Sequence, residues 1–186
     1  MIELRVYANS VAGAIPVAVY WGLLVVFVVG AIGLMLWKGV RTGGRYVAVL
    51  ALVEWMALVL CATVIFRESA AERGFRLIPF SSYWDFGEHG YLLEAVAEKL
   101  LNVALFVPVG FLLGCSARGM KWRRVLVIGI CLSVAIELMQ LIFQKGLCEV
   151  DDVMHNAVGS LIGFGIYRFV TQISQIAQKG FALQRD

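Results

Sequence analysis

Five long apolar runs constrain this chain more than any other feature of its sequence. A helix needs about 20 residues to cross roughly 30 Å of hydrocarbon, and lipid offers no partner to an open backbone, so each run must be helical. The chain is 61% hydrophobic and 16% charged, whereas a soluble domain is about 45–50% apolar and about 25% charged. The sequence therefore predicts an all-α integral membrane protein, a single domain over residues 1–186, with five transmembrane helices at Val11–Trp37, Tyr46–Phe66, Leu100–Cys115, Val125–Phe143 and Val153–Val170.

The first and third runs need separate comment. The first is too long for the apolar region of a signal peptide, and Glu3 offsets Arg5 before it, so we interpret it as a retained span. The third is the shortest and contains Pro108. A proline inside a helix removes one backbone hydrogen bond, and this predicts a kink.

The lysines and arginines predict the orientation, because cytoplasmic loops of membrane proteins are enriched in them. The loops after the first and third runs contain basic residues and no acid, and the C-terminal segment is also basic. The N-terminus is then outside the cell and the C-terminus inside. A long extracellular loop from Arg67 to Lys99 joins the second and third helices. It is either a lid or re-entrant segment, or an interfacial segment, since Tyr83, Trp84 and Phe86 favour the depth of the lipid headgroups. The basic residues assigned to the cytoplasmic side are Lys38, Arg41, Arg45, Arg118, Lys121, Arg123, Arg124, Arg168, Lys179 and Arg185.

Polar residues recur at one depth in the last three runs. In the fourth run they are spaced four, three and four apart, and so are the small and polar residues of the fifth, so each set shares one helix face. Ionisable groups inside a span usually face the bundle or a water-filled cavity. We therefore predict a pocket that is open to the outside and lined by Asn102, Glu137, Gln140, Asp152 and Asn156.

Structural roles are alternatives for most of these residues. Asp151 or Asp152 could cap the fifth helix and complement its dipole. The asparagines and Gln140 could be hydrogen-bond links between helices. His155 is more readily explained as an interfacial residue than as a catalytic one. We expect Gly159 and Gly163 to allow close helix packing. Glu54, an acid in the second run away from the other polar residues, would in a structural role be a protonated carboxyl group that is hydrogen-bonded within the bundle.

Several classes of function are not supported by the sequence. The four cysteines are scattered without a CxxC pair, so we expect no metal site and no disulfide framework. We also expect no cofactor. There is no basic stripe with interleaved aromatic residues, which argues against nucleic-acid binding.

Four blocks of sequence resemble the VanZ-like family of bacterial membrane proteins. The four blocks are RLIPF from Arg76, NVALFVPVGFLLG from Asn102, SVAIELMQ from Ser133 and EVDDVMHNAVGSLIG from Glu149. In the first block the family usually has Asn where this chain has Arg76, and Pro79 and Phe80 match the family's segment. The second block contains Pro108 and Gly110, which also match. The resemblance is strongest over residues 75–170. Before the acidic turn the family often has Gly-Arg, and Lys145-Gly146 stands there in this chain. If that arginine binds an anion, Lys145 would replace it as a point charge.

The resemblance implies a multi-pass protein of the bacterial cell membrane with its functional face outside, and an association with resistance to teicoplanin. The lipid bilayer is then one of its partners. We expect it to bind a lipid-linked peptidoglycan precursor or a lipoglycopeptide at the outer leaflet. One alternative is an intramembrane enzyme with Glu137 as acid or base and Asp151, Asp152 or His155 as its partner. Another is a small lipid transporter.

Overall fold

Five α-helices and one short strand pair make up the part of the chain that the structure describes. The computed structural model describes residues 16–38, 40–70, 74–81, 83 and 92–183. In chain order the elements are α1 (Val17–Lys38), α2 (Val40–Leu60), β1 (Phe75–Arg76), α3 (Leu92–Ser116), α4 (Trp122–Ile142), β2 (Cys148–Glu149) and α5 (Val150–Leu183). A π-helical turn, Cys61–Ile65, extends α2.

In the part of the chain that the structure describes, four helical segments are long and apolar enough to cross a membrane, which supports a multi-pass membrane protein. The fifth predicted run, 153–170, lies within the 34-residue α5. Polar and glycine residues lower the hydropathy of α5 relative to the other helices, and it is not among the four. Those four segments are Val17–Lys38, Gly43–Ile65, Val96–Ser116 and Trp122–Ile142.

The predicted loop between the second and third helices was too long. Helix α3 begins at Leu92, so Lys99 is a helical residue and not the end of a loop. The apolar pattern did not reveal the start of α3, because the first turns of this helix contain charged residues. Residues 11–15 of the first predicted run, and Trp84 and Phe86 of the aromatic cluster, lie outside the described residues.

Helix α3 continues through Pro108, and the expected kink stays a prediction. Proline disturbs the hydrogen bonds of the preceding turn. In that turn the indole Nε1 of Trp55 on α2 donates to the carbonyl oxygen of Leu105 at 2.8 Å. A side chain of α2 therefore supplies a donor to the backbone of α3 at this point.

The direction of each helix follows from its contacts. On α5, Gly159 lies against Val103 of α3, and Gly163 lies against Val107. The residue numbers rise together, so α3 and α5 are parallel. Helix α4 is antiparallel to α5, because Asn156 bonds to Ser133 while the earlier Glu149 bonds to the later Glu137.

These directions give the bundle two chemically different ends. The polar end contains Lys99, Gln140 and Asp152. The basic end contains the start of α2, the end of α3 and the turn before α4, and there Arg45 donates to the carbonyl oxygen of Ser116 at 3.4 Å.

The apolar core lies among α2, α3, α4 and α5. Its fully buried side chains include Phe106, Val109 and Val125. Helix α1 has no buried residue and packs on α2, where Gly30 lies against Leu50. The half-buried Glu54 keeps one carboxyl oxygen, Oε2, buried and without a hydrogen-bond partner among the described residues. The eight buried residues of the core cluster are Val59, Val64, Phe106, Val109, Leu113, Val125, Ile136 and Phe164.

Candidate functional site

A short parallel strand pair fastens the segment after α2 to the start of α5. In it, Phe75 pairs with Cys148 and Arg76 with Glu149, and the amide of Cys148 donates to the carbonyl oxygen of Gly74 at 3.0 Å. We call residues 74–81 and 83 the strap. Two residues per strand are too few to show an alternating pattern, so this pairing could not be predicted from the sequence.

A buried lysine is the centre of the polar end. Lys99 is 1% exposed, and its Nζ lies 2.5 Å from Oδ1 of Asp152 and 2.7 Å from Oε2 of Glu149. The other oxygen of Glu149, Oε1, bonds to Arg76 of the strap at 2.9 Å. Two cations and two carboxylates thus alternate across α3, β2, α5 and the strap. A buried charge is tolerated when it is paired in this way.

Glu137 of α4 joins the same cluster through the backbone. It is 2% exposed, and its Oε2 accepts a hydrogen bond from the amide of Glu149 at 3.0 Å. The amide belongs to β2, directly before α5. Glu137 and Asp152, both predicted to line a pocket, are therefore linked through Glu149 and Lys99, and no open space is needed to explain their positions.

The other predicted pocket residues have separate partners. Gln140 donates to the carbonyl oxygen of Thr63 at 3.2 Å, in the π-helical turn after α2. Asn156 donates to Ser133 Oγ at 2.8 Å. The amide nitrogen of Asn102 and the amide oxygen of Asn156 are buried and have no hydrogen-bond partner among the described residues. Both lie about one helical turn deeper than Lys99 and Asp152, since they follow them by three and four residues.

The strap is also bonded to the first turns of α5. The amide of Phe80 donates to Oδ1 of the buried Asp151 at 2.6 Å. Phe80 has a φ of 65°, a left-handed conformation that is costly for a bulky residue. Pro79, beside it, is exposed. The bonds that hold this turn against α5 therefore stabilise a backbone that would otherwise relax.

A tyrosine and a histidine complete the attachment. His155 Nδ1 lies 2.6 Å from the carbonyl oxygen of Asp151, which can only accept, so Nδ1 carries a proton. In the neutral ring Nε2 is then an acceptor, and the hydroxyl of Tyr83 donates to it at 2.9 Å. Burial raises the pKa of Tyr83 from its ordinary value of 10.0, with Asp151 and Asp152 adding to the shift and Lys99 opposing it, so this donor stays protonated to a higher pH than an exposed tyrosine would.

Lys145 lies at the edge of this cluster. Its Nζ donates to the carbonyl oxygen of Arg67 at 2.7 Å. It follows Gln144, whose φ of 56° ends α4. The amide of Lys145 returns to Gln140 O at 2.7 Å and that of Gln144 to Leu141 O at 3.3 Å, which is a Schellman cap with glutamine in the place that glycine usually takes.

The glycines predicted to pack helices lie at the contact of α3 with α5. A Cβ on Gly163 would collide with the carbonyl oxygen of Val107, and one on Gly159 with that of Val103. Gly110 of α3 faces the carbonyl oxygen of Ser160 in the same way. Pro108 is half-buried in this part of α3. Backbone meets backbone along this face, so α3 and α5 hold Lys99 and Asp152 at a fixed separation.

Sequence reasoning missed the residues at the centre of the cluster. Lys99 was placed in a loop, although it precedes Asn102 by three residues and so shares its face on a helix. Glu149 was noted only as part of an acidic turn. No pattern within one segment could pair Lys99 with carboxylates 50 and 53 residues later in the chain.

The chemistry of the cluster is that of ion pairs and hydrogen bonds. Among the described residues, no group of three or more His, Cys, Asp or Glu side chains is arranged to hold a metal ion. Cys148, on β2, has its thiol pKa raised by burial and further by the charge of Glu137. The thiol is therefore a poor nucleophile at neutral pH.

Comparison with known proteins agrees with the resemblance. The chain is similar to Protein VanZ of Enterococcus faecium, with 28% identity over 96 residues, or 52% of this chain and 53% of VanZ. The chain thus spans about half the length of this curated relative. No solved structure matches it significantly. The model of the VanZ/LLP1 family matches residues 46–171, a range that contains every residue of the ion-pair cluster, and the chain belongs to that family.

Proposed function

We propose that this chain is a bacterial cell-envelope protein that binds a lipid-linked peptidoglycan precursor, or a lipoglycopeptide, at the outer leaflet. By doing so it lowers susceptibility to teicoplanin. The proposal draws on membership of the VanZ/LLP1 family and on the geometry of the polar end.

The observation that carries the proposal is the buried ion-pair cluster under the strap. Lys99, Asp152 and Glu149 bring formal charges into the end of a membrane bundle, where such charges are expensive and usually functional. A cluster built only to join helices could use neutral groups, as Asn156 and Ser133 do one turn deeper. The charges favour a site for a polar ligand at this end.

The proposed topology has five crossings, with the N-terminus outside, the C-terminus inside and the loop between α2 and α3 extracellular. The parallel packing of α3 and α5 supports it, because α4 between them requires opposite crossings. The basic residues near Arg45 and Arg118 lie at the other end of the bundle, as cytoplasmic residues would. The polar end then faces the compartment in which teicoplanin acts.

The strap supports a ligand with an apolar part. Its side chains Phe75, Leu77, Ile78 and Phe80 are 49–66% exposed, although the segment is bonded to the charged cluster. Exposed apolar side chains next to a polar site are typical of a surface at the depth of the lipid headgroups. A lipid-linked sugar or an acylated glycopeptide combines these two characters.

Drug susceptibility tests this function directly. The protein, Glu137→Gln and Asp152→Asn would be expressed at matched levels in a susceptible Gram-positive host, and the minimum inhibitory concentrations of teicoplanin and vancomycin measured. We expect the wild type to raise the value for teicoplanin selectively, and both variants to lose the effect. Arg118→Gln, an exposed residue at the basic end, is the control and should protect like the wild type.

Two outcomes would contradict the proposal. If the wild type and both variants protected equally, the protection would not depend on the ion-pair cluster. No protection by the wild type would mean that the ligand is not a glycopeptide or its target. Turnover of a labelled lipid precursor by the purified protein would favour the intramembrane enzyme instead.

A further inference from the structure

Two cations, Arg67 and Lys145, come together at the polar end. Lys145 Nζ donates to the backbone oxygen of Arg67 at 2.7 Å. The guanidinium of Arg67 lies over Gly146, 3.7 Å from where a Cβ would be. Within the described parts of the chain, neither charged group forms an ion pair. The loop after α4 and the segment after α2 therefore bring two positive charges together.

The nearby carboxylates form no salt bridge with this pair among the described residues. Glu98 and Asp152 both lie close enough to Arg67 to interact with its charge, but neither is within salt-bridge distance of it, and Oδ1 of Asp152 is bonded to Lys99. Both oxygens of Glu149 are also taken, by Lys99 and Arg76. Like charges repel more strongly in the low dielectric near a membrane, so the arrangement of Arg67 and Lys145 is stabilised when an anion lies between them.

An apolar surface continues from these cations along the bundle. Ile65, two residues before Arg67, is 60% exposed, and Ile142 and Phe143, shortly before Lys145, are 66% and 59% exposed. The two helix ends are joined at this level, because Gln140 donates to Thr63 O and Ala70 N donates to Gln144 O at 2.9 Å. The cations thus lie above one surface made by the ends of α2 and α4.

We propose that Arg67 and Lys145 form a binding site for a lipid that carries a phosphate or pyrophosphate headgroup. The guanidinium offers paired donors to phosphate oxygens, Lys145 adds a point charge, and Ile65, Ile142 and Phe143 contact the hydrocarbon tail. Basic residues at the ends of membrane helices bind lipid headgroups in this manner. The inference deepens the proposed function and rests on it for the position at the outer leaflet, since it names the group by which a lipid-linked precursor would be held.

Equilibrium binding to the full chain in detergent tests the site. The probes are farnesyl pyrophosphate, farnesol and inorganic pyrophosphate, each titrated against labelled protein. We expect farnesyl pyrophosphate to bind more tightly than either of the other two. Arg67→Gln and Lys145→Gln should each weaken it roughly tenfold or more, while Lys145→Arg should retain binding because it keeps the charge. Arg118→Gln and Lys121→Gln at the basic end should bind like the wild type.

The remaining results would overturn the inference. Equal binding of inorganic pyrophosphate and farnesyl pyrophosphate would assign the cations to a free anion instead of a lipid. If farnesol bound as tightly as farnesyl pyrophosphate, the phosphate groups would not contribute to binding. Unchanged affinity for farnesyl pyrophosphate in both glutamine variants would show that Arg67 and Lys145 do not bind them. This test uses no drug, so it can succeed where the susceptibility test of the proposed function fails, and the two failures are distinguishable.

Discussion

Lys99 and Asp152 form a buried ion pair of 2.5 Å that joins α3 to α5. Because Glu149 also accepts from Lys99 and bonds to the strap through Arg76, one lysine connects two helices and the segment between α2 and α3. The stability of the polar end should depend on this residue more than on any exposed cation.

Replacing Lys99 by methionine leaves Asp152 and Glu149 buried without their shared cation. Breaking a buried pair from one side costs about 3–5 kcal/mol, so the free energy of unfolding should fall by that order. Thermal unfolding in detergent is the measurement. Adding Asp152→Asn to Lys99→Met should recover part of the loss, since Glu149 keeps Arg76. Arg118→Gln is the control, and an equal loss in it would contradict the special role of Lys99.

Substitution of Gly163 should separate α3 from α5. A Cβ there would collide with the carbonyl oxygen of Val107, and overpacking of this kind costs about 1–3 kcal/mol. Gly165 is the matched control on the same helix, because nothing lies within 4 Å of its Cβ position. Gly165→Ala should be neutral or stabilising by up to about 1 kcal/mol. Similar melting temperatures for Gly163→Ala and Gly165→Ala would contradict the close approach.

The phenol of Tyr83 should titrate above pH 10. Burial raises its pKa above the ordinary value of 10.0, so the folded state holds this proton more tightly than the unfolded state. The stabilisation is complete below pH 10 and is lost as the pH rises through the raised value. The difference in tyrosinate absorbance between the wild type and Tyr83→Phe gives the midpoint directly. A midpoint at or below 10 would show that the strap leaves Tyr83 in water.

Cysteine labelling should distinguish the two ends of the bundle. Starting from a variant without Cys61, Cys115, Cys131 and Cys148, single cysteines replace Glu68 or Arg118, which are both exposed. In the proposed orientation a membrane-impermeant maleimide labels Glu68→Cys in intact cells and Arg118→Cys only after lysis. The reverse pattern would place the polar end in the cytoplasm.

The sequence predicted the architecture better than the contacts. Apolar runs identified the four spans and the membrane class, because burial in lipid requires them whatever the neighbours are. The resemblance to the VanZ-like family was confirmed. The start of α3 was missed, because its first turns contain Glu98 and Lys99. Charged residues such as these are typical of a loop in a membrane protein unless their partners are known.

The candidate site was predicted only in part, because its contacts join residues that are far apart in the sequence. Spacing placed Glu137 and Gln140 on one face of α4, but Gln140 bonds to Thr63 of a different helix, which no spacing within α4 could indicate. The open pocket stays a prediction. Arg67 could not be predicted as a binding residue, because it belongs to no motif and lies beside Lys145 only in the folded chain.

The ion pair of Lys99 also bears on how the chain is made. Lys99 is synthesised 53 residues before Asp152, and 50 before Glu149. The two carboxylates that pair with Lys99 are therefore made after α3, and we expect the polar end of α3 to reach its final position only when Glu149 and Asp152 have arrived. Assembly of this end would then depend on the later half of the chain, with β2 and α5 fixing the position of a helix made well before them.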